Sequence, residues 1–426
     1  MARLQSRQIS QLHLYQVLHA VRLMREPLSR AQIAELTGLS QPAVSSLTRR
    51  LLESSALIEV GSRPSQGGGR RERELAINPE HAWVVGVKVA LHQITIALSD
   101  FAGGVRNTLK VPLATPVTQA ALIRLLARQI EACLAGAGGA VRQCLAGVGV
   151  ALPGFIDSMR GQVLWSAVLK PQRGGEALRL GEALTEGLGV PVFIENDANM
   201  LALAEQWFGQ AARVANVAVV TLEHGLGLGL VLNGELYRGQ SGLAAELAHL
   251  QIVAGDGAAC RCGKRGCLEA YVAHHAIVQQ GQQAGLIGGA DPLPAADVVR
   301  SYAHLADLAR SGNAAARKIF EGQGRLLGQW IANVVNLLAP QLVLLDGGGT
   351  VASDLYEPAL RAAMEEALLP PHRLKVPLVV RHQGDEVWAR GAASLVLQRL
   401  DESAEILGSV SRHGFESVSV GRRPDA

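Results

Sequence analysis

Three cysteines and a histidine within nineteen residues set the tightest condition on this fold. The spacing His249-x10-Cys260-x-Cys262-x4-Cys267 places one imidazole and three thiols close together. Thiolates crowded this way repel one another and oxidise unless a metal neutralises them. One His and three Cys make a closed four-ligand set, so the expected cofactor is a structural Zn2+ with no position open for hydrolytic chemistry. The chain has only two other cysteines, Cys133 and Cys144, which lie outside this cluster and read as packing residues. Five cysteines in 426 residues are no disulfide framework.

That length exceeds one ordinary core and predicts two or three domains. No apolar run reaches the roughly 18–20 residues of a membrane span. The first 25 residues carry Arg3, Arg7, Arg22 and Arg25 with no signal-peptide core, so the expected location is cytoplasmic, without a membrane partner. Charge is unevenly spread. Residues 1–78 hold eleven Arg against six Glu, a net of +5, whereas the remainder holds 29 basic and 31 acidic side chains, a net of −2. A basic head on a near-neutral body points to a polyanion as the head's partner.

Leu14, Val17, Leu18, Val21 and Met24 recur at helical spacing, and Pro27 ends that helix. Ser29 is placed to cap a second helix, Arg30 to Leu36, with Ile33 and Leu36 expected to face inward. The stretch Thr37-Gly38-Leu39-Ser40 is a tight turn, and Ser40 caps a third helix with Pro42 in its first turn. Val44, Leu47 and Leu51 form the buried stripe of that helix. Two short helices around a glycine-bearing turn are a helix-turn-helix. Ser40, Gln41, Ser45, Ser46, Thr48, Arg49 and Arg50 are then expected on the DNA side, suited to base edges and phosphates. Leu57–Val60 and Glu74–Ile77 read as strands flanking a wing that contains Gly67-Gly68-Gly69, and Arg63, Arg70, Arg71 and Arg73 are expected to reach DNA from it. Asn78-Pro79 closes this winged head, residues 1–78, whose expected partner is operator DNA.

From Trp83 onward strand and helix patterns alternate. Strands are predicted over 84–89, 94–98, 145–150, 217–220 and 342–345, and helices over 118–134 and 318–338. This is an α/β body, residues 79–400, with two halves and a cleft between them. Residues 401–426 read as a loose tail.

Three stretches carry a resemblance: Glu195-Asn196-Asp197-Ala198-Asn199, Glu246-x2-His249, and Cys260-x-Cys262-Gly263-Lys264-Arg265-Gly266-Cys267-Leu268-Glu269. In order and spacing they resemble the ROK family of repressors, open reading frames and sugar kinases. The resemblance implies a two-lobed, sugar-kinase-like body of the actin-like ATPase type. It also implies that Asn196, Asp197, Glu246, His249 and Glu269 hold a sugar's hydroxyls. Carboxylates and an amide are suited to that task, and a metal-bound His keeps its ring fixed. Ala245 and Ala248 stand where the family has glycine.

The departures bear on catalysis. Family kinases carry a D-x-G-G-T phosphate loop where this chain reads Lys88-Val89-Ala90-Leu91-His92, and the second, Gly/Thr-rich loop reads Glu223-His224-Gly225-Leu226-Gly227. Phosphoryl transfer is chiefly positioning and charge neutralisation, so both losses predict no catalytic residue and no kinase activity. Asp197, at the place of the kinases' general base, is left a binding role. Asp346-Gly347-Gly348-Gly349 reads either as a nucleotide-side turn or as a plain strand-to-helix turn. The expectation is a sugar-responsive repressor, dimeric on a pseudo-palindromic operator, with a sugar or sugar derivative as inducer. The alternatives are an active sugar kinase that regulates its own operon, and a repressor released by a protein partner.

Overall fold

The structure, a computed structural model, describes residues 6–64, 71–171, 177–240, 242–289, 292–373 and 376–403. Arg70, the Gly67–Gly69 run and residues 404–426 lie outside them.

The head comprises α1 (Ser6–Met24), β1 (Leu28–Ser29), α2 (Arg30–Thr37), α3 (Gln41–Glu53), β2 (Leu57–Arg63) and β3 (Glu72–Ile77). Ser29 and Gln32 form a reciprocal capping box at the start of α2, and Gly38 ends it at φ 70°. The Ser40 hydroxyl accepts from Ala43 N at 3.4 Å, capping α3. β2 and β3 are an antiparallel hairpin, which β1 extends to three strands in the order β1-β3-β2. Leu36 does not face inward: it is half exposed, and Ile33 with Ala34 makes the buried face of α2.

The first half of the body contains β4 (Trp83–Val89), β5 (Gln93–Asp100), β6 (Val105–Pro112), α4 (Gln119–Ala135), α5 (Gly139–Gln143), β7 (Leu145–Leu152), β8 (Phe155–Asp157), β9 (Gln162–Trp165), α6 (Leu180–Leu188) and β10 (Val192–Asn196). Its sheet runs β10-β7-β4-β5-β6, with β8 and β9 as a separate hairpin. α7 (Asp197–Phe208) leads to the second half: β11 (Val217–Leu222), β12 (Leu226–Leu232), β13 (Glu235–Leu236), α8 (Glu269–Val272), α9 (His274–Gln283), α10 (Ala295–Arg310), α11 (Ala314–Leu338), β14 (Leu342–Asp346), α12 (Ser353–Ala367), β15 (Leu378–Val380) and α13 (Glu386–Glu402). The second sheet runs β13-β12-β11-β14-β15.

Strand periodicity decides which layer each side chain joins. On β4, Val85, Val87 and Val89 pack outward with Leu122, Leu126 and Ile130 of α4. Val84 points the other way, toward Ala392, Ala393 and Val396 of α13. α7 and α13 pair with each other between the two sheets, α13 against β4 and β7 and α7 against β12. Glycine makes this layer close. A methyl group on Gly86 would lie 1.8 Å from the Ala389 carbonyl oxygen, and one on Gly149 would lie 1.9 Å from that of Ala392.

α1 packs on the C-terminal part of α13, and the buried cluster around Leu14, Leu18 and Val44 continues into Phe101, Trp207 and Leu400. At this junction Arg22 and Asp401 form a buried ion pair at 2.9 Å, and Arg22 also donates to the Phe101 carbonyl. Residues 401 and 402, read from sequence as the start of a loose tail, are the last turn of α13.

Candidate functional site

A cavity of about 430 Å³ opens between the halves, and Asn196, Asp197, Glu246, His249 and Glu269 all line it. The fold brings together the five residues expected to hold a ligand. β10 runs parallel to β7 and delivers Asn196 and Asp197 to the cleft at the start of α7. The Asn196 side chain accepts from Ala198 N at 2.9 Å and donates through Nδ2 to Gly154 O at 3.0 Å. Its orientation is thereby fixed by the backbone. Beneath it Glu195 is buried, accepting from Asn199 Nδ2 at 3.0 Å and from Arg238 Nε at 2.6 Å. The Glu195–Arg238 pair spans both halves at the edge of the site, a role not anticipated from sequence.

The acids differ in character. Burial raises Asp197 to about 6, with Lys88 pulling it down and Glu223 pushing it up. Burial, then the charges of Asp197 and Glu269, raises Glu246 to about 7. Burial opposes the charge on Glu269 too, but Arg261, 3.2 Å away, and His275 hold it below the ordinary value. At neutral pH the cleft therefore offers both a half-protonated and an ionised carboxyl, which suits hydroxyls that donate and accept. Ala245 sits at φ 67°, a left-handed conformation that costs an alanine more than a glycine. Ala248 is buried beside it.

His249, Cys260, Cys262 and Cys267 converge, their donor atoms all within 4.8 Å of one another. His249 Nδ1 lies 3.5 Å from Cys260 Sγ, and the Cys262 and Cys267 sulfurs are 3.8 Å apart. A tetrahedral ion with metal–sulfur bonds of about 2.3 Å sets sulfurs about 3.8 Å apart, so the four residues can hold a metal ion. Burial pushes the Cys260 and Cys267 thiols up, so ionising them calls for a cation. With Nδ1 turned to the thiols, His249 Nε2 faces Glu246 Oε2 at 3.9 Å.

Near enough to Asp197 to act on its charge, Lys88 is fully buried. Its Nζ lies 2.9 Å from both Glu223 oxygens, 2.7 Å from Asp385 Oδ1 and 3.8 Å from the centre of the Trp388 ring. Burial alone would lower its pKa, and the two carboxylates more than offset that. Gln93 donates to the second oxygen of Asp385. Asp346 is likewise consumed within the protein, accepting from Gly347 N at 2.7 Å and Gln383 Nε2 at 2.9 Å. Gly348 of the turn that follows lines the cavity, so both readings of Asp346-Gly347-Gly348-Gly349 stand.

The ROK family profile matches residues 84–399. The chain belongs to the ROK family. Among curated proteins, the DNA-binding transcriptional dual regulator NagC of Escherichia coli K12 is 31% identical over 87% of this chain and 88% of its own length. The xylose repressor of Bacillus subtilis is 28% identical over 88% of this chain and 92% of its own. Among solved structures, a ROK family transcriptional regulator, a homologue of the E. coli MLC protein, superposes with a TM-score of 0.76 and 26% identity over 95% of this chain and 99% of that one. A ROK family glucokinase from Streptomyces griseus, in complex with glucose and AMPPNP, gives 0.60 and 27% over 74% of this chain and 99% of its own. The ROK regulators thus match this chain over a larger share of its length than that ROK kinase does.

Outside the ROK body, the head corrects one expectation about DNA-facing residues. Thr48 is not on the exposed face of α3. It is buried, four residues after Val44, donating to the Val44 carbonyl at 2.8 Å and accepting from Arg30 Nε at 3.0 Å. Gln41, Ser46, Arg49 and Arg50 are exposed and Ser45 is half-buried. Arg50 donates to Ser10 at 3.2 Å, Arg63 to Ser29 at 3.0 Å and Arg71 to Ser62 at 3.1 Å. These last three brace the head as well as presenting charge.

Proposed function

We propose that this ROK chain is a repressor of sugar metabolism whose head binds operator DNA and whose cleft binds a sugar or sugar derivative. The chain is a regulator and not an enzyme. One observation carries this: buried Lys88, paired with Glu223 and Asp385 on the cavity wall, stands where a ROK kinase needs a phosphate cradle. A lysine neutralised by two carboxylates has no charge left for a nucleotide, and Glu223 repels one. The regulator names of the curated relatives, which match along most of the chain, support the same reading.

Zn2+ is the metal that the donor set of His249, Cys260, Cys262 and Cys267 fits best. It would act structurally, ionising the thiols and fixing the His249 ring so that Nε2 faces the ligand. Asn196, Asp197, Glu246, His249 and Glu269 bind the ligand's hydroxyls. Gln41, Ser45, Ser46 and Arg49 on α3 read base edges and phosphates, with Ser40, Arg50, Arg63, Arg70 and Arg71 alongside. One such head covers few base pairs, so two chains bind a pseudo-palindromic site as a homodimer. The test is to select duplexes from random DNA with the purified protein and titrate the best one with and without N-acetylglucosamine, xylose and their phosphates. A shift of roughly 5- to 150-fold in affinity supports the reading; selection of no preferred sequence defeats it.

A further inference from the structure

One helix touches both the cleft and the head. α13 is preceded by Asp385, which lines the cavity and pairs with Lys88 at 2.7 Å, and its last turn carries Asp401, paired with Arg22 of α1 at 2.9 Å. Its 17 residues span about 25 Å. Along that length the backbone is in direct contact with its surroundings. Gly86 and Gly149 admit it against β4 and β7, and a methyl group on Gly391 would lie 1.9 Å from the Met200 carbonyl oxygen of α7. A helix so confined has little room to move without the layers packed against it. One end is held by the fully buried Arg22–Asp401 pair and the other by buried Lys88 against partly exposed Asp385, and parting either pair leaves a buried charge bare.

We propose that α13 is the rigid link through which the state of the cleft reaches the head. Glu223, Gln93 and Asp385 all line the cavity, so a molecule bound there meets the groups that hold the first end of the helix. Movement of that end is carried to Asp401 and, through Arg22, to α1. The link rests on the reading of the cleft as a ligand site, but its geometry is testable without a ligand.

The experiment is a mutant cycle on the full chain, read by hydrogen exchange of α1. One change, Asp385→Asn, weakens the cleft end. The other, Arg22→Met with Asp401→Leu, replaces the buried pair by apolar groups of similar size, an exchange that folded proteins tolerate. Sites this far apart behave additively unless something couples them. Asp385→Asn is expected to change α1 exchange at least about threefold when Arg22 and Asp401 are present, and not in the Arg22→Met/Asp401→Leu background. Equal effects in both backgrounds, or none in either, overturn the proposal. If Asp385→Asn does not fold, Gln93→Ala removes a donor from the same carboxylate and serves in its place. A second arm adds N-acetylglucosamine or xylose. Protection of the cleft strands with unchanged α1 overturns the link and leaves the ligand reading standing. A non-additive cycle with no protection of the cleft by either sugar upholds the link and removes those two sugars as the ligand.

Discussion

Lys88 and Glu223, 135 residues apart and on opposite halves of the body, meet at 2.9 Å in the floor of the cleft. Two substitutions that each look hostile to a nucleotide are therefore one feature, a salt bridge in which Glu223 on the cavity wall holds the charge of buried Lys88. Lys88→Met leaves Glu223 and Asp385 facing each other without a cation. The expected cost is about 3–5 kcal/mol of unfolding free energy in urea denaturation. Neither wild type nor this variant should consume ATP with glucose, N-acetylglucosamine or xylose in a coupled assay. Sugar-dependent turnover that Asp197→Asn abolishes would restore the kinase alternative.

The metal cluster predicts about one zinc per chain by elemental analysis. Cys262→Ser should lose the ion and lower Tm by about 5 °C or more. Because His249 belongs to both metal set and cleft, the same variant should also lose sugar-dependent stabilisation. Retention of that stabilisation in metal-free protein would separate the two sites.

Asp197→Ala and Glu246→Ala each remove a carboxyl from the cleft. Hydrogen bonds to charged groups contribute about 1.5–3 kcal/mol, so each should weaken sugar binding roughly 10- to 100-fold in calorimetry. Head folding should be untouched. An unchanged Kd in both variants would show that the ligand binds elsewhere.

Burial lowers His274 to about 3, and its ring stacks on Tyr302 at 4.2 Å. The unfolded chain takes up a proton near pH 6.5 that the folded chain refuses, so this group's contribution is complete above that pH. It is lost progressively as pH falls toward 3. Between pH 7 and 5 the loss is on the order of 2 kcal/mol. His274→Phe keeps the stack and removes the titration, so its Tm should fall less over that interval than the wild type's. Identical pH profiles would remove His274 from the account.

On the head, Arg49→Ala should weaken DNA binding and reduce the slope of log K against log salt by about one unit if Arg49 meets a phosphate. Thr48→Val should act differently, destabilising the head through the lost Arg30 contact without changing the salt slope. Equal salt slopes for wild type and Arg49→Ala would take that side chain off the DNA.

Much of this architecture was legible. The metal set needed only spacing, and the head was marked by caps, a turn glycine and helical apolar stripes. Thr48 was misplaced because the stripe was drawn through Val44, Leu47 and Leu51 without the residue that shares Val44's face. α13 escaped altogether. Pattern reading needs a wet face to contrast with a dry one, and Ala389, Gly391, Ala392, Ala393 and Ser394 are all buried. The Lys88–Glu223 and Arg238–Glu195 pairs were beyond reach for another reason. Each joins residues tens or hundreds of positions apart, and only the folded topology sets them side by side.

The continuous apolar cluster from Leu14 and Val44 to Leu400 has a practical corollary for anyone dividing this chain. A cut after residue 78 strips a cover from Phe101, Trp207 and Leu400 and leaves Asp401 inside an apolar patch without its guanidinium. The isolated body would be prone to self-association through that scar, and the isolated head would lack the surface that orients α1. Affinities measured on the fragments would describe two damaged objects. Experiments on the division of labour within this protein belong on the intact chain, with point substitutions in place of truncation.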